Sequence, residues 1–233
     1  PLYRAVVGAI AGGSTSQGAI AAALGREARA GQHPLKALED AGFVERHDDM
    51  LRSRRPIYRL ADPIVRFHHA VTRADLARFE DRRFNEAWAD AQPRFSTHVL
   101  GPHFEQLARD FTFKFSSPAT TGGPVASVGP AVVNDQKARA QHELDVVVRT
   151  RTRNGATRVA AIGEAKHTNR ARTITDLSRL EHIRMLLTDR GDATPSTKLL
   201  LFSASGFDRN LTAVAEERDD LELIDLERMY NGE

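Results

Sequence analysis

The segment Ala160-Ala161-Ile162-Gly163-Glu164-Ala165-Lys166 decides how the C-terminal half of the chain is read. It begins as an apolar run and ends with a carboxylate and an amine two residues apart. Side chains alternate along a strand, so Glu164 and Lys166 share one face. Upstream stands Arg153-Asn154-Gly155-Ala156, and Asn-Gly between strand-like residues predicts a two-residue type I′ hairpin turn. With Asn154 and Gly155 as the loop, Arg153 faces Ala156, Asp145 falls opposite Glu164 and Glu143 opposite Lys166. Facing residues have Cβ atoms about 4.5–5.5 Å apart. Three acids and one amine are thereby expected on one face at the strand ends.

Two carboxylates that close repel each other unless a proton or a cation lies between them. Magnesium (or manganese) suits the need, because it takes one or two carboxylates and leaves its other positions to water and substrate phosphate. Such an ion polarises a phosphoryl oxygen, and Lys166 would orient water or offset developing charge, which is the chemistry of phosphodiester hydrolysis. Arg149, Arg151 and Arg153 share the parity of Asp145, and the same register sets Arg158 opposite Arg151. A row of arginines beside a metal site is a track for a nucleic-acid backbone, although charged hairpin tips are also commonly just solvated.

Working outward, strand-like runs at 144–148, 159–162, 198–202 and 221–224 alternate with a long amphipathic helix marked by Ile174, Leu177, Leu180 and Leu187. Phe104, Leu107 and Phe111 mark another helix, and 118–130 is a Gly/Pro-rich excursion. Strands interleaved with helices give an α/β fold, α+β overall. The N-terminal stretch, 1–62, carries three helical segments (3–11, 17–24 and 32–40, the last ending at Gly42) and two strand-like runs at 43–46 and 56–60. That is the plan of a winged helix-turn-helix. Gln32, His33 and Lys36 would lie on the exposed side of its third helix, and Arg52, Arg54 and Arg55 on or beside the wing, as DNA contacts. Glu39, Asp40, Asp48 and Asp49 dilute the positive field. Residues 63–100 carry helical periodicity (Ile64, Phe67, Val71, Leu76, Phe79, Phe84, Trp88) and are expected to form a helical linker, with 101–233 as the second domain.

The 233 residues are 41% hydrophobic and 27% charged, which suits one or two packed domains. Basic residues outnumber acidic ones by only 33 to 31, so attraction to nucleic acid has to come from local patches. The absence of cysteine excludes disulfides, thiolate zinc sites and a Cys nucleophile. No apolar run approaches the length of a membrane span and no signal-peptide pattern opens the chain, so a cytoplasmic location without membrane contact is expected. The chain opens on Pro1 rather than Met, which admits an upstream module in the parent protein. His68, His69 and His103 are not spaced as zinc ligands, and Ser14, Ser16 and Ser203 lack an accompanying base.

Asp145 followed by Glu164-Ala165-Lys166 resembles the D…(D/E)XK motif of the PD-(D/E)XK restriction-endonuclease-like superfamily. Glu105, in Phe104-Glu105-Gln106-Leu107-Ala108-Arg109, resembles the acid many members carry on their first core helix. More narrowly, the chain is similar to the C-terminal part of a family of prokaryotic, mostly archaeal, DEXX-box ATPases, in which a winged helix follows an AAA-type ATPase module and a restriction-like domain comes last. The likeness is carried by 35–38 with 42–44, by 58–63, 101–105 and 143–147, and by Ser203-Ala204-Ser205-Gly206-Phe207. It implies metal ligation by Asp145 and Glu164 with the Ala165 carbonyl, a catalytic lysine at Lys166 and an accessory acid at Glu105. Glu143 rests on the register alone. The chain has no Gly-x-x-x-x-Gly-Lys-Ser/Thr loop, so the ATPase would be a module upstream or a separate partner. The expected function is DNA binding with magnesium-dependent cleavage, as a homodimer where two coordinated cuts are made. The alternative is a non-catalytic DNA-binding or regulatory module that keeps a degenerate nuclease fold.

Overall fold

The structure is a computed structural model that describes residues 2–27, 32–152 and 154–232. It divides into two compact units, one comprising Pro1–Asp48 and Arg54–His103, the other Asp49–Ser53 and Phe104–Glu233. No helix among the described residues is long and apolar enough to cross a membrane.

In the first unit, α1 (Leu2–Ala11), α2 (Gln17–Ala23) and α3 (Gln32–Asp40) precede an antiparallel ribbon of β1 (Val44–His47) and β2 (Ile57–Leu60). The Ser16 hydroxyl caps α2 by accepting the Ala19 N–H, and Gly42 leaves α3 in the left-handed region at φ +74°. Val6, Ile10, Ile20, Leu35, Leu38, Val44, Tyr58 and Leu60 form one buried cluster. The stretch expected to be a linker belongs to the same unit. It holds α4 (Pro63–Phe67), α5 (Leu76–Glu80) and α6 (Phe84–Phe95), with widened π-type turns at His68–Thr72 and Ser96–Leu100. Pro93, inside α6, has no N–H to offer, and the wide turn that follows three residues later accommodates the break.

The second unit contains a five-stranded mixed sheet ordered β3-β4-β5-β6-β7. Helix α7 (Gly101–Lys114) and short α8 (Pro118–Thr121) lead into β3 (Val125–Asp135), β4 (Ala140–Arg151) and β5 (Thr157–Lys166), which pair antiparallel. Helix α9 (Ile174–Asp189) then crosses to β6 (Lys198–Ser203), and α10 (Arg209–Glu216) to β7 (Leu221–Asp225), both pairings being parallel; α11 (Leu226–Asn231) follows. The architecture is therefore α+β. One face of the sheet buries Leu144, Val147 and Ile162 with Leu177, Leu180, Ile183 and Leu187 of α9; the other buries Val146, Val148 and Ala165 with Phe104, Ala108 and Phe111 of α7. Gly163 leaves no room for a side chain: a Cβ there would lie 2.9 Å from the Leu200 carbonyl oxygen.

Strand β3 runs through what the sequence presents as a Gly/Pro excursion. An edge strand tolerates proline because one row of its backbone groups needs no partner. Pro130 lies where the β3–β4 register shifts, and its carbonyl accepts the Met50 N–H. Asp49 is no surface charge either. It is buried, and its carboxylate accepts the N–H groups of Leu51, Arg52 and Val132.

The hairpin turn differs from expectation. It is closed by Thr152 and Ala156, whose N–H and carbonyl lie 2.7 Å apart, so the loop holds three residues, with Gly155 left-handed at φ +83°. This is the three-residue hairpin geometry that ends on a left-handed glycine. It shifts the ladder by one, giving Thr150↔Arg158 and Arg151↔Thr157. Ala160 is then an extra residue on β5, and beyond it the pairs Val148↔Ala161, Val147↔Ile162 and Val146↔Gly163 follow the count drawn from a two-residue loop. Two departures cancel, and the ladder is back on that count at Val146↔Gly163, its last pair, one residue short of Asp145 and Glu164.

Candidate metal and phosphate site

Asp145 stands where β4 leaves β5. Between Gly129↔Val147 and Ala131↔Leu144, β4 carries one residue more than β3, and the surplus falls at Asp145–Val146. Such a bulge bends its strand. The β4–β5 pairing accordingly stops at Val146↔Gly163, and the next N–H of β5, that of Ala165, donates to the Asp145 carboxylate at 2.9 Å instead of to a ladder carbonyl. From α7, Arg109 donates to the Asp145 carbonyl at 3.1 Å.

Glu164 is 3% exposed and surrounded by cations. Arg172 donates to its Oε2 at 3.2 Å, Lys166 Nζ lies 3.0 Å from its Oε1, and Arg179 of α9 donates to that same oxygen. Burial works against ionisation here, but Arg172, Arg179 and Lys166 outweigh it and hold the carboxyl below the ordinary carboxylate range. Asp176 completes the cluster, 3.3 Å from Arg172 and 3.8 Å from Lys166. Its own position is set by the start of α9: Asp176 accepts the Thr173 N–H while the Thr173 hydroxyl caps the helix, a reciprocal capping box. Arg172 is 2% exposed, and its Nε and Nη1 have no hydrogen-bond partner. Cation and anion are thus balanced one for one only if Asp145 is counted: Lys166, Arg172 and Arg179 against Asp145, Glu164 and Asp176.

The remaining expected residues fall as follows. Glu105 faces Arg109 at 3.9 Å, one turn along α7, and does not join Asp145 and Glu164 in any group of three ligand atoms within 4.8 Å. Glu143 is exposed and pairs with Val132 of β3 rather than with Lys166, because β4 has already parted from β5. Arg149 is half-buried and Arg151 exposed. Arg158 lies opposite Thr150, hence on the other face from Arg151, and donates to the Gly122 carbonyl at 3.0 Å. Arg153 lies outside the described residues. In the first unit Gln32 and His33 are exposed, and Lys36 pairs with Asp40. Gln32 and Lys36 line a pocket of about 390 Å³ together with Gln17, Glu39, Arg46 and Tyr58. Arg54 and Arg55 are exposed and Arg52 half-buried. Arg172 and Arg179 were not singled out by sequence; the (i, i+4) spacing of Arg172 and Asp176 is the one local signal that pointed to them.

A hard divalent ion asks for oxygen ligands and few protein carboxylates. Asp145 and Glu164 at the end of one strand pair are of that chemistry, the Ala165 N–H being held by Asp145, and Glu105 stands outside the set. For Glu164 to enter such a set, Lys166 and Arg179 would have to turn aside from its Oε1. Both are long side chains, 41% and 37% exposed, whereas buried Arg172 stays. When bound, the ion would polarise a phosphoryl oxygen and acidify a water.

No protein-family model matches the chain, and no curated protein does. Among solved structures, protein VC1899 from Vibrio cholerae is similar at 12% identity and a TM-score of 0.33, over 99% of this chain and 49% of that one. The chain spans about half the length of that protein, and a likeness of this degree carries no argument about fold or function.

Proposed function

We propose that the chain binds DNA and that its second unit is a restriction-endonuclease-like domain that hydrolyses phosphodiester bonds with magnesium or manganese at Asp145 and Glu164. Lys166 offsets the charge that develops on the phosphate. The first unit serves as the winged helix that engages the duplex, and the whole works as the C-terminal part of, or partner to, an AAA-type ATPase. One observation carries the proposal: the Asp145 carboxylate closes on the Ala165 amide directly beside Glu164, whose Oε1 is held by Lys166. Paired carboxylates with a lysine at one sheet end are what metal-assisted attack on a phosphodiester requires. Partly exposed Arg179 and Lys166 meet a phosphate on the same side.

The test is incubation with plasmid, single-stranded and branched DNA in magnesium or manganese, comparing the protein with Asp145→Ala and Lys166→Ala. Cleavage lost in both variants supports the proposal, and cleavage equal in all three proteins refutes it.

A second function is favoured by the saturation of Glu164. Three cationic partners on one buried carboxylate also describe a locked structural cluster, in which the domain binds DNA or regulates the ATPase without cutting. DNA binding that survives in Asp145→Ala, with no cleavage of any substrate by the unaltered protein, would select it.

A further inference from the structure

Beyond the hydrolytic proposal, and independent of it, three side chains converge at the far end of the β3–β4 hairpin. Asp135 ends β3, His142 lies on β4 and His182 projects from α9. His142 pairs with Val133, a residue of the core beneath α9, so the histidine shares that face; Asp135, two residues on from Val133, returns to it. Their ligand atoms all lie within 4.8 Å of one another. His182 Nε2 is 2.8 Å from Asp135 Oδ2 and His142 Nε2 is 3.9 Å from the same oxygen, the two imidazoles standing edge to face with centroids 5.7 Å apart.

The second oxygen of Asp135 is already spoken for: it accepts the Ala138 N–H at 2.9 Å, which fixes the carboxylate in the turn and aims Oδ2 at the histidines. His142 Nε2 is buried and has no hydrogen-bond partner. An imidazole nitrogen closed off from water and left unpaired is unfavourable, and a metal ion satisfies it. Two imidazoles and a carboxylate are a borderline donor set, suited to zinc and its neighbours rather than to magnesium. His182 is 41% exposed, which leaves the outer side of the cluster open to water.

We propose that Asp135, His142 and His182 bind a zinc-class divalent transition ion, with water in the remaining position. The ligands stand on two strands and a helix rather than on mobile loops, so the site pins the β3–β4 hairpin to α9. His182 follows Arg179 by three residues on α9, a rise of about 4.5 Å.

The test is titration of metal-stripped protein with zinc alone by calorimetry, with cobalt alone as a spectroscopic probe. The expected result is a saturable site, lost in His182→Ala, with the visible ligand-field absorption of a low-coordinate cobalt centre. His182→Ala, at a half-exposed position, should keep the fold by circular dichroism and weaken zinc more than about 100-fold, the loss a ligand exceeds when even its supporting partners are worth 10–100-fold. Asp135→Asn and His142→Ala should do the same. Asp145→Ala should bind zinc as the unaltered protein does, which separates this site from the hydrolytic one. No saturable binding, affinity unchanged in His182→Ala, or affinity lost in Asp145→Ala would each overturn the assignment.

Discussion

Replacing Glu164 by glutamine keeps the side-chain volume and removes the one charge on which Arg172, Arg179 and Lys166 converge. Breaking a buried ion pair by removing one partner typically costs about 3–5 kcal/mol, because the other charge stays buried. Here Asp176 still lies 3.3 Å from Arg172, and Arg179 and Lys166 can turn to water, so the lower end applies: about 3 kcal/mol at pH 7. For a chain of this size that corresponds to a fall in Tm of about 6–12 °C. The choice of assay matters. The chain has one tryptophan, Trp88, which stands in the first unit, so its fluorescence does not report on the sheet. Hydrogen exchange at the β5 and α9 amides does. The pH dependence carries a sign as well. A carboxyl whose folded pKa is lowered stabilises the fold above its unfolded pKa, about 4.3, and that contribution is lost as pH falls through the folded value. The gap between the protein and Glu164→Gln should therefore narrow as pH is taken from neutrality down through about 4. A loss under about 1 kcal/mol at neutral pH, the size of a surface pair, or a gap that stays constant through the acid series would refute the account of Glu164 as an ionised hub.

Gly163→Ala should destabilise the second unit by about 1–3 kcal/mol in urea unfolding followed by hydrogen exchange, since the added methyl meets the Leu200 backbone at 2.9 Å. Thr173→Ala should cost about 1 kcal/mol through loss of the α9 capping box, read as a lower Tm with unchanged secondary structure. Arg179→Ala leaves Lys166 as the one remaining cation on Glu164 Oε1, so manganese affinity, measured by calorimetry, should rise; a fall would mean that Arg179 supports the site rather than competing for it. Where DNA binding is driven by phosphates, Arg54→Ala and Arg55→Ala should each reduce the slope of log affinity against log salt by about 0.9, and an unchanged slope would remove them from the interface.

The strand register near Asp145 and Glu164 was legible for a reason that the turn alone does not supply. Asn154-Gly155 predicts a two-residue loop, and Gly155 does turn in the left-handed region, yet the loop closes one residue wider and the surplus is taken up by Ala160. What restores the register is the alternation of apolar residues on both strands. Val147 and Ile162 must meet α9 while Val146, Val148 and Ala161 meet α7, and a one-residue slip would invert every one of them. Register as far as Val146 and Gly163 is thus set by the core on either side, and the extra residue, Ala160, is itself buried in the cluster beneath α7. On the tip side of the bulge the pairing is shifted by one, which is why Arg158 lands opposite Thr150 and on the other face from Arg151. Strand β3 escaped notice because Gly129 and Pro130 break the local pattern while tertiary pairing with β4 overrides it. The partners of Glu164 and the histidines around Asp135 lie further from view still. His182 is 47 residues from Asp135, and only the packing of α9 on the sheet brings them to 2.8 Å. That packing also sets Arg179 and His182 one turn apart on the same side of α9, so the helix, rather than any motif, decides which charges face the strand ends. Chemistry at Glu164 should therefore respond to substitutions in α9 that touch neither Asp145 nor the Glu164-Ala165-Lys166 segment.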